Sequence, residues 1–138
     1  MDSYSVLWRI HAVLMSASFL MMLTGVVINM VMKKNKNRIK IHKTLGYAGS
    51  GSGIAAAILA FIMIGTTHGY HFSNTHAVLG IITAALLVIV PVFSNLMLKV
   101  PGAGKKKVFR AVHIWLARIS LVMMSVVIVM GLRFAGVI

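Results

Sequence analysis

The chain has no cysteine and only one acidic residue, Asp2, among its 138 residues. The missing thiols exclude disulfides, iron–sulfur clusters, thiol catalysis and covalent c-type haem attachment. The near absence of carboxylates excludes paired-carboxylate catalysis and acidic metal cages. Charged residues make up 11% of the chain, against roughly 25% in a soluble domain, and the mean hydropathy is +0.95. Together these deficits argue against a soluble globular protein.

The excess of basic residues is distributed as in a membrane protein. Fourteen Lys and Arg residues give a net charge of +13, which by itself often marks a nucleic-acid-binding protein. Here the basic residues form short runs between long uncharged stretches, which is typical of a chain that crosses a bilayer several times. We therefore expect this protein to lie in a lipid membrane and not to bind nucleic acid.

The uncharged stretches define four membrane spans. Residues 10–32 and 44–98 carry no charge, and 111–132 carries only Arg118. Since one span needs about 20 apolar residues, the longest stretch contains two spans and a polar connection. We predict one all-α domain over residues 1–138, an integral membrane four-helix bundle of up-down-up-down topology. Its helices are expected near residues 7–32, 42–65, 76–98 and 111–135.

The orientation follows from the connections between the helices. The first and third connections are rich in Lys and Arg, whereas the second has neither. Because cytoplasmic loops are enriched in these residues, both basic loops are predicted to be cytoplasmic. Both termini and the loop with His68 and His71 then lie outside, and we expect a prokaryotic cytoplasmic membrane.

Four of the six histidines stand at the beginning of a predicted helix, one for each span. In an alternating bundle, His11 and His76 lie at the outer face, and His42 and His113 lie at the inner face. The residues on the same helical face as each histidine are mostly small. They include Gly46, Gly49 and Gly53 after His42, Gly80 after His76, and Ala117 after His113.

This pattern favours a flat cofactor beneath each imidazole. A single histidine at a membrane interface is commonly an anchor, and small residues commonly allow close helix packing. The repetition on four helices favours a porphyrin in the bundle, since cofactor sites are built from facing helices in this way. Zinc fits less well because two histidines at each level leave its site incomplete. Haem iron needs only two axial ligands, and a bis-histidine iron suits electron transfer.

The chain resembles the cytochrome b561 family over nearly its whole length. The resemblance rests on four short motifs in the family's order, each containing one histidine. These are Arg9-Ile-His11, His42-Lys-Thr-Leu-Gly46, His76-Ala-Val-Leu-Gly80 and His113-Ile-Trp-Leu-Ala117-Arg118. Many members have six helices, whereas this chain has only the four-helix core, and Ala117 replaces a frequent glycine.

The resemblance implies two non-covalent haem b groups with bis-histidine ligation. His11 would pair with His76, and His42 with His113. The implied function is transmembrane electron transfer from a cytoplasmic reductant, ascorbate-like or quinol, to an outer acceptor. That acceptor would be ferric iron, a radical or a redox protein, and a homodimer is expected. Two alternatives stay open: a haem-b anchor subunit that exchanges electrons between a partner protein and quinone, and a non-redox metal-ion transporter.

The remaining polar residues give weaker predictions. Arg110 and Arg9 are candidates to bind the propionates of the inner and outer haem. A basic rim that includes Lys40 and Lys43 would attract an anionic reductant, although such residues also set topology and bind lipid. Arg118, inside a span, either snorkels to the headgroups or contacts a quinone or partner. The outer loop supplies two candidate substrate ligands, His68 and His71.

Overall fold

The computed structural model describes residues 3–66 and 74–138, and four long helices account for most of them. Their bounds are α1 Ser3–Val31, α2 Arg38–Thr66, α3 Thr75–Lys99 and α4 Ala103–Phe134. All four are long and apolar enough to cross a membrane, and these two described ranges contain no strand. The predicted all-α integral membrane fold is confirmed.

Three helices begin earlier than predicted. α1 begins at Ser3 rather than near residue 7, α2 at Arg38 rather than near residue 42, and α4 at Ala103 rather than near residue 111. The added turns of α2 and α4 are rich in Lys and Arg, which are good helix formers and are readily solvated beyond the membrane. The start of α4 is set by Gly102, whose φ of 85° is a conformation that favours glycine. The start of α3 is capped by the Asn74 side chain, which accepts a hydrogen bond of 2.9 Å from the Ala77 amide.

The helices form a closed ring in chain order. α1 packs most closely on α2 and α3 on α4, while α2–α3 and α1–α4 contacts complete the ring. Within the described ranges, the diagonal pairs α1/α3 and α2/α4 make no close backbone contact. One end of the bundle, the basic end, holds the 32–37 and 100–102 connections and the lysines that flank them. The opposite end, the terminal end, holds the first residues of α1 and the last residues of α4.

Small residues bring α1 and α2 together. A Cβ atom on Gly49 would lie 2.6 Å from Met22 Cγ and 3.0 Å from the Ser18 carbonyl oxygen. Across the same seam, the Ser18 hydroxyl donates to the Gly49 carbonyl at 2.6 Å, and the Ser52 hydroxyl donates to the Leu14 carbonyl at 3.0 Å. Such close approach with hydroxyl-to-carbonyl bonds is typical of helix pairs in membranes.

The core is narrow and the outer surface is apolar. Ser18, Ala56, Thr83, Leu87, Ser120 and Met124 are fully buried in the middle of the bundle. The outward faces carry large exposed apolar side chains, among them Val13, Leu20, Val31, Trp115, Val122 and Phe134. A surface of this kind is stable only against lipid or another apolar partner.

The seam between α1 and α2 gives a direct test of the fold. We expect Gly49→Val to lower the stability of the bundle by about 1–3 kcal/mol, because the new side chain overlaps Met22 and the α1 backbone. Gly51→Val is the matched control, since a Cβ atom on Gly51 has no neighbour within 4 Å. Heat denaturation in detergent measures both variants. Equal midpoints for the two would contradict this packing.

Candidate functional site

The four histidines meet in two pairs across the diagonals of the bundle. The His11 and His76 rings, on α1 and α3, have centroids 6.5 Å apart and planes at 79°. The His42 and His113 rings, on α2 and α4, have centroids 6.4 Å apart and planes at 83°. These are the pairs that the sequence predicted. We call the first pair the terminal site and the second the basic site, after the ends of the bundle where they lie.

A hydrogen bond to the backbone orients one ring in each pair. The Nδ1 atom of His11 lies 2.8 Å from the Ala56 carbonyl oxygen, and Nδ1 of His42 lies 3.0 Å from the Gly25 carbonyl oxygen. Because a carbonyl only accepts, Nδ1 must carry the proton in both rings. The lone pair of each ring is then on Nε2, where a metal can bind.

The separation of the paired rings fits one metal ion between them. A metal–nitrogen bond of about 2.0 Å, plus about 1.1 Å from nitrogen to ring centroid, taken on both sides, predicts a centroid separation of about 6.2 Å. The described part of the chain has no group of three or more His, Cys, Asp or Glu that could hold a metal. A metal held by two imidazoles therefore needs further ligands from another source, and a porphyrin supplies four nitrogen atoms.

A cavity of about 400 Å³ adjoins the terminal site. All four helices contribute to its wall, which combines small residues with larger apolar and aromatic ones; examples are Ala12, Ala60, Gly80, Ala84, Trp8 and Phe134. A Cβ atom on Gly80 would meet nothing within 4 Å, so this glycine leaves open space beside His76. An apolar, roomy wall below a histidine pair suits the flat face of a porphyrin.

The predicted small residues have different surroundings. Gly46 and Gly80 border open space, as a cofactor-lining role requires. Gly49 instead packs on α1. Gly53 lines the cavity, but a Cβ atom on it would overlap the Leu87 side chain and the Ser18 hydroxyl. Ala117 is half-buried on α4.

A further glycine contacts a histidine directly. A Cβ atom on Gly131 would lie 3.0 Å from Cε1 of His76, so the imidazole rests on the backbone of α4. The sequence placed Gly131 on the same face as His113, eighteen residues further along α4. Its contact with the other histidine pair follows from the length of the helix, which reaches the opposite end of the bundle.

The predicted basic residues lie at the basic end, with one addition. Lys40 and Arg110 are exposed, and Lys43 is half-buried. Arg38, which the sequence reasoning did not single out, is half-buried and donates from Nη1 to the Asn29 carbonyl at 3.3 Å. It lies four residues before His42. This i to i+4 spacing in the sequence indicates that the two residues lie on the same face of the helix.

Among the described residues, the terminal end carries two arginines. Arg9 is exposed, with Cζ 5.9 Å from the Trp8 ring centroid. Arg133, in the last turn of α4, lies at the same end. The sequence analysis did not predict a role for it, although the topology alone places it there.

Arg118 is exposed beside Trp115, with its Cζ atom 5.3 Å from the ring centroid. His68 and His71 lie outside the described residues.

An integral membrane four-helix bundle with one histidine pair at each end belongs to the class of membrane proteins that bind a cofactor inside the bundle. The chain is a member of the cytochrome b561 family: the family model described as "Eukaryotic cytochrome b561" matches residues 10–137. No curated protein and no solved structure matches the chain.

Membership defines the cofactor and the general activity. The family binds haem b and transfers electrons across membranes through it. The family description names eukaryotic proteins, whereas the sequence pattern led us to expect a prokaryotic membrane. The source of the membrane and the sides on which the loops lie stay predictions.

The cavity yields a test that leaves the histidines in place. We expect Gly80→Phe to prevent haem from binding at the terminal site, because the new ring projects into open space beside His76. Gly65→Phe is the control, since Gly65 is exposed and a Cβ atom on it would meet nothing within 4 Å. Haem per chain and helical circular dichroism are measured together. Full haem content in a folded Gly80→Phe chain would contradict the assignment of the cavity.

Proposed function

We propose that this protein carries electrons across the membrane by way of two b-type haems, one held at each end of the bundle. The observation that supports the proposal is the presence of two imidazole pairs, with centroids 6.5 and 6.4 Å apart, on the two diagonals of one bundle. A single pair would serve a haem on one side only. Two pairs at different depths provide a route between the two membrane faces.

The ligands in this proposal are His11 with His76 and His42 with His113. Haem, when bound, supplies a centre that takes up and releases one electron. The protein's own part is to present Nε2 from opposite sides of the bundle and to keep the rings fixed through Nδ1. The carbonyls of Ala56 and Gly25 do this for His11 and His42.

The region between the two pairs is short and closely packed. His11 and Gly25, whose carbonyl binds His42, are fourteen residues apart on α1, so the two levels are separated by about 21 Å along the helix axis. Three hydroxyl groups in this region, on Ser18, Thr83 and Ser120, are fully buried and donate to carbonyl oxygens. Close packing of satisfied polar groups excludes water, which favours the passage of electrons over that of protons.

The basic end is the proposed entrance for electrons. Lys40 and Arg110 are exposed there, and Lys43 and Arg38 are half-buried near His42. Their positive charge attracts an anionic, ascorbate-like reductant from the cytoplasm; a quinol, which is neutral, is the alternative donor. Electrons then leave at the terminal site to ferric iron, a radical or a redox protein. Two arginines, Arg9 and Arg133, give that end a weaker positive charge.

One feature favours a second candidate, a haem-b anchor subunit that exchanges electrons between a partner protein and quinone. Trp115 is 62% exposed on α4, and Arg118 lies over it on the membrane-facing side. An arginine and a tryptophan on a lipid-facing surface suit contact with a quinone headgroup or with a second subunit, including another copy of this chain.

Haem stoichiometry tests the two-site proposal. We expect the pyridine haemochromogen assay to give two haem b per chain, and His11→Ala and His113→Ala each to retain one. The two one-haem chains should differ in their reduced-minus-oxidised spectra, because each keeps a different site. Gly51→Ala, on the open face of α2, serves as the control. One haem in the wild-type chain would contradict the proposal.

Vesicles test whether electrons cross the membrane. Proteoliposomes loaded with ascorbate should reduce external ferricyanide, which cannot enter them. The rate should fall to that of empty vesicles in His113→Ala or His11→Ala, since either change interrupts the route. If the two-haem chain is reduced by ascorbate but passes no electrons to ferricyanide, the anchor-subunit function is favoured instead.

A further inference from the structure

Arg38 is a half-buried cation that is tied to the neighbouring helix. It is the first residue of α2, and its Nη1 atom donates to the Asn29 carbonyl of α1 at 3.3 Å. Asn29 is half-buried as well. This hydrogen bond uses one of the five N–H donors of the guanidinium group. Arg38 is therefore held in place by α1 and retains the capacity to bind a further group.

Among the described residues, no carboxylate side chain can neutralise Arg38. The single acidic residue of the chain is Asp2, and residues 3–66 and 74–138 contain neither Asp nor Glu. Keeping a partly buried charge away from water is costly, whereas a hydrogen bond between two charged groups is among the stronger interactions in proteins. An anion that pairs with Arg38 must therefore belong to a bound molecule.

The guanidinium group lies next to the basic site. Arg38 precedes His42 by four residues on α2, and Asn29 follows Gly25 by four residues on α1. The Arg38–Asn29 bond is therefore about one helical turn, or ~6 Å, beyond the bond between His42 and the Gly25 carbonyl. Because four residues correspond to about 400°, Arg38 and His42 also share one face of α2. A cofactor that is bound by His42 and extends towards the basic end would meet this guanidinium group.

We infer that Arg38 binds a propionate of the haem at the basic site. The propionates are the anionic side groups of haem b, and charged groups turn towards the aqueous end of a membrane protein because their burial in lipid is costly. A planar guanidinium group also matches the two oxygen atoms of a carboxylate better than an ammonium group does. The inference rests on the proposed function, since it assumes that haem binds at the basic site.

The neighbouring cations fit this role less well. Lys40 is exposed, and its two-residue offset from His42 places it about 200° away around α2. Arg110, the propionate partner expected from the sequence, is exposed on α4. Exposed cations are suited to meet an anionic reductant from the water, whereas Arg38 is half-buried and held by α1.

The release of haem tests the role of Arg38. In the Arg38→Gln chain, we expect one of the two haems to pass to excess apomyoglobin about tenfold faster than in the wild type, because a charged hydrogen bond is lost. The haem released should be the one that is absent from His113→Ala, as judged by its reduced-minus-oxidised spectrum. Lys40→Gln is the matched control, since it removes an equal charge two residues away and should release haem at the wild-type rate. Release at the wild-type rate from Arg38→Gln, or a larger effect of Arg110→Gln, would overturn the inference.

Esterified haem separates propionate binding from a merely structural role. The dimethyl ester of haem b has the same macrocycle but no anionic side group. At the basic site, the wild-type chain should bind the ester about tenfold more weakly than haem b, whereas Arg38→Gln should no longer distinguish the two. If Arg38→Gln weakens the binding of haem b and of the ester equally, Arg38 only fastens α2 to α1, and the inference is wrong.

The outcomes separate this inference from the proposed function. A wild-type chain without a haem that depends on His42 and His113 contradicts the two-haem function itself. A wild-type chain with two haems contradicts only the role of Arg38 if Arg38→Gln changes neither the release of haem nor the preference over its ester. A raised KM for ascorbate with unchanged haem release would assign Arg38 to the reductant and would likewise overturn the inference.

Discussion

The site depends on a fixed register between antiparallel helices. In the α1–α2 hairpin, each histidine binds the carbonyl that lies fourteen residues after the histidine of the other helix: His11 binds Ala56, and His42 binds Gly25. Fourteen residues are close to four helical turns, so both groups lie on the same face of each helix. A slip of one residue would rotate these groups by about 100° and separate the rings from their partners.

The same spacing organises the interior between the sites. Seven residues after each histidine, halfway along, lie Ser18, Gly49, Thr83 and Ser120, all of them buried. These residues are small and fill the interior at mid-depth, while the histidine pairs lie towards the two ends and the cavity adjoins the pair at the terminal site.

The larger features were predictable because they depend on periodicity and charge. Uncharged runs defined the four spans, and the position of each histidine in an alternating bundle defined the pairs His11/His76 and His42/His113. Distances set by packing were not predictable. Gly46, which borders open space, and Gly49, which packs on α1, belong to the same small-residue pattern and differ only in the fold. Arg38 lies four residues before His42, but its bond to a carbonyl of α1, which distinguishes it from the neighbouring cations, depends on how the helices pack.

Two haems in one chain are two paramagnetic centres at a defined distance. Pulsed electron paramagnetic resonance on the oxidised protein measures the dipolar coupling between two low-spin ferric haems. The fourteen-residue spacing predicts a separation of about 21 Å along the bundle axis. A single uncoupled centre, or a distance longer than the bundle itself, would contradict electron transfer through two haems.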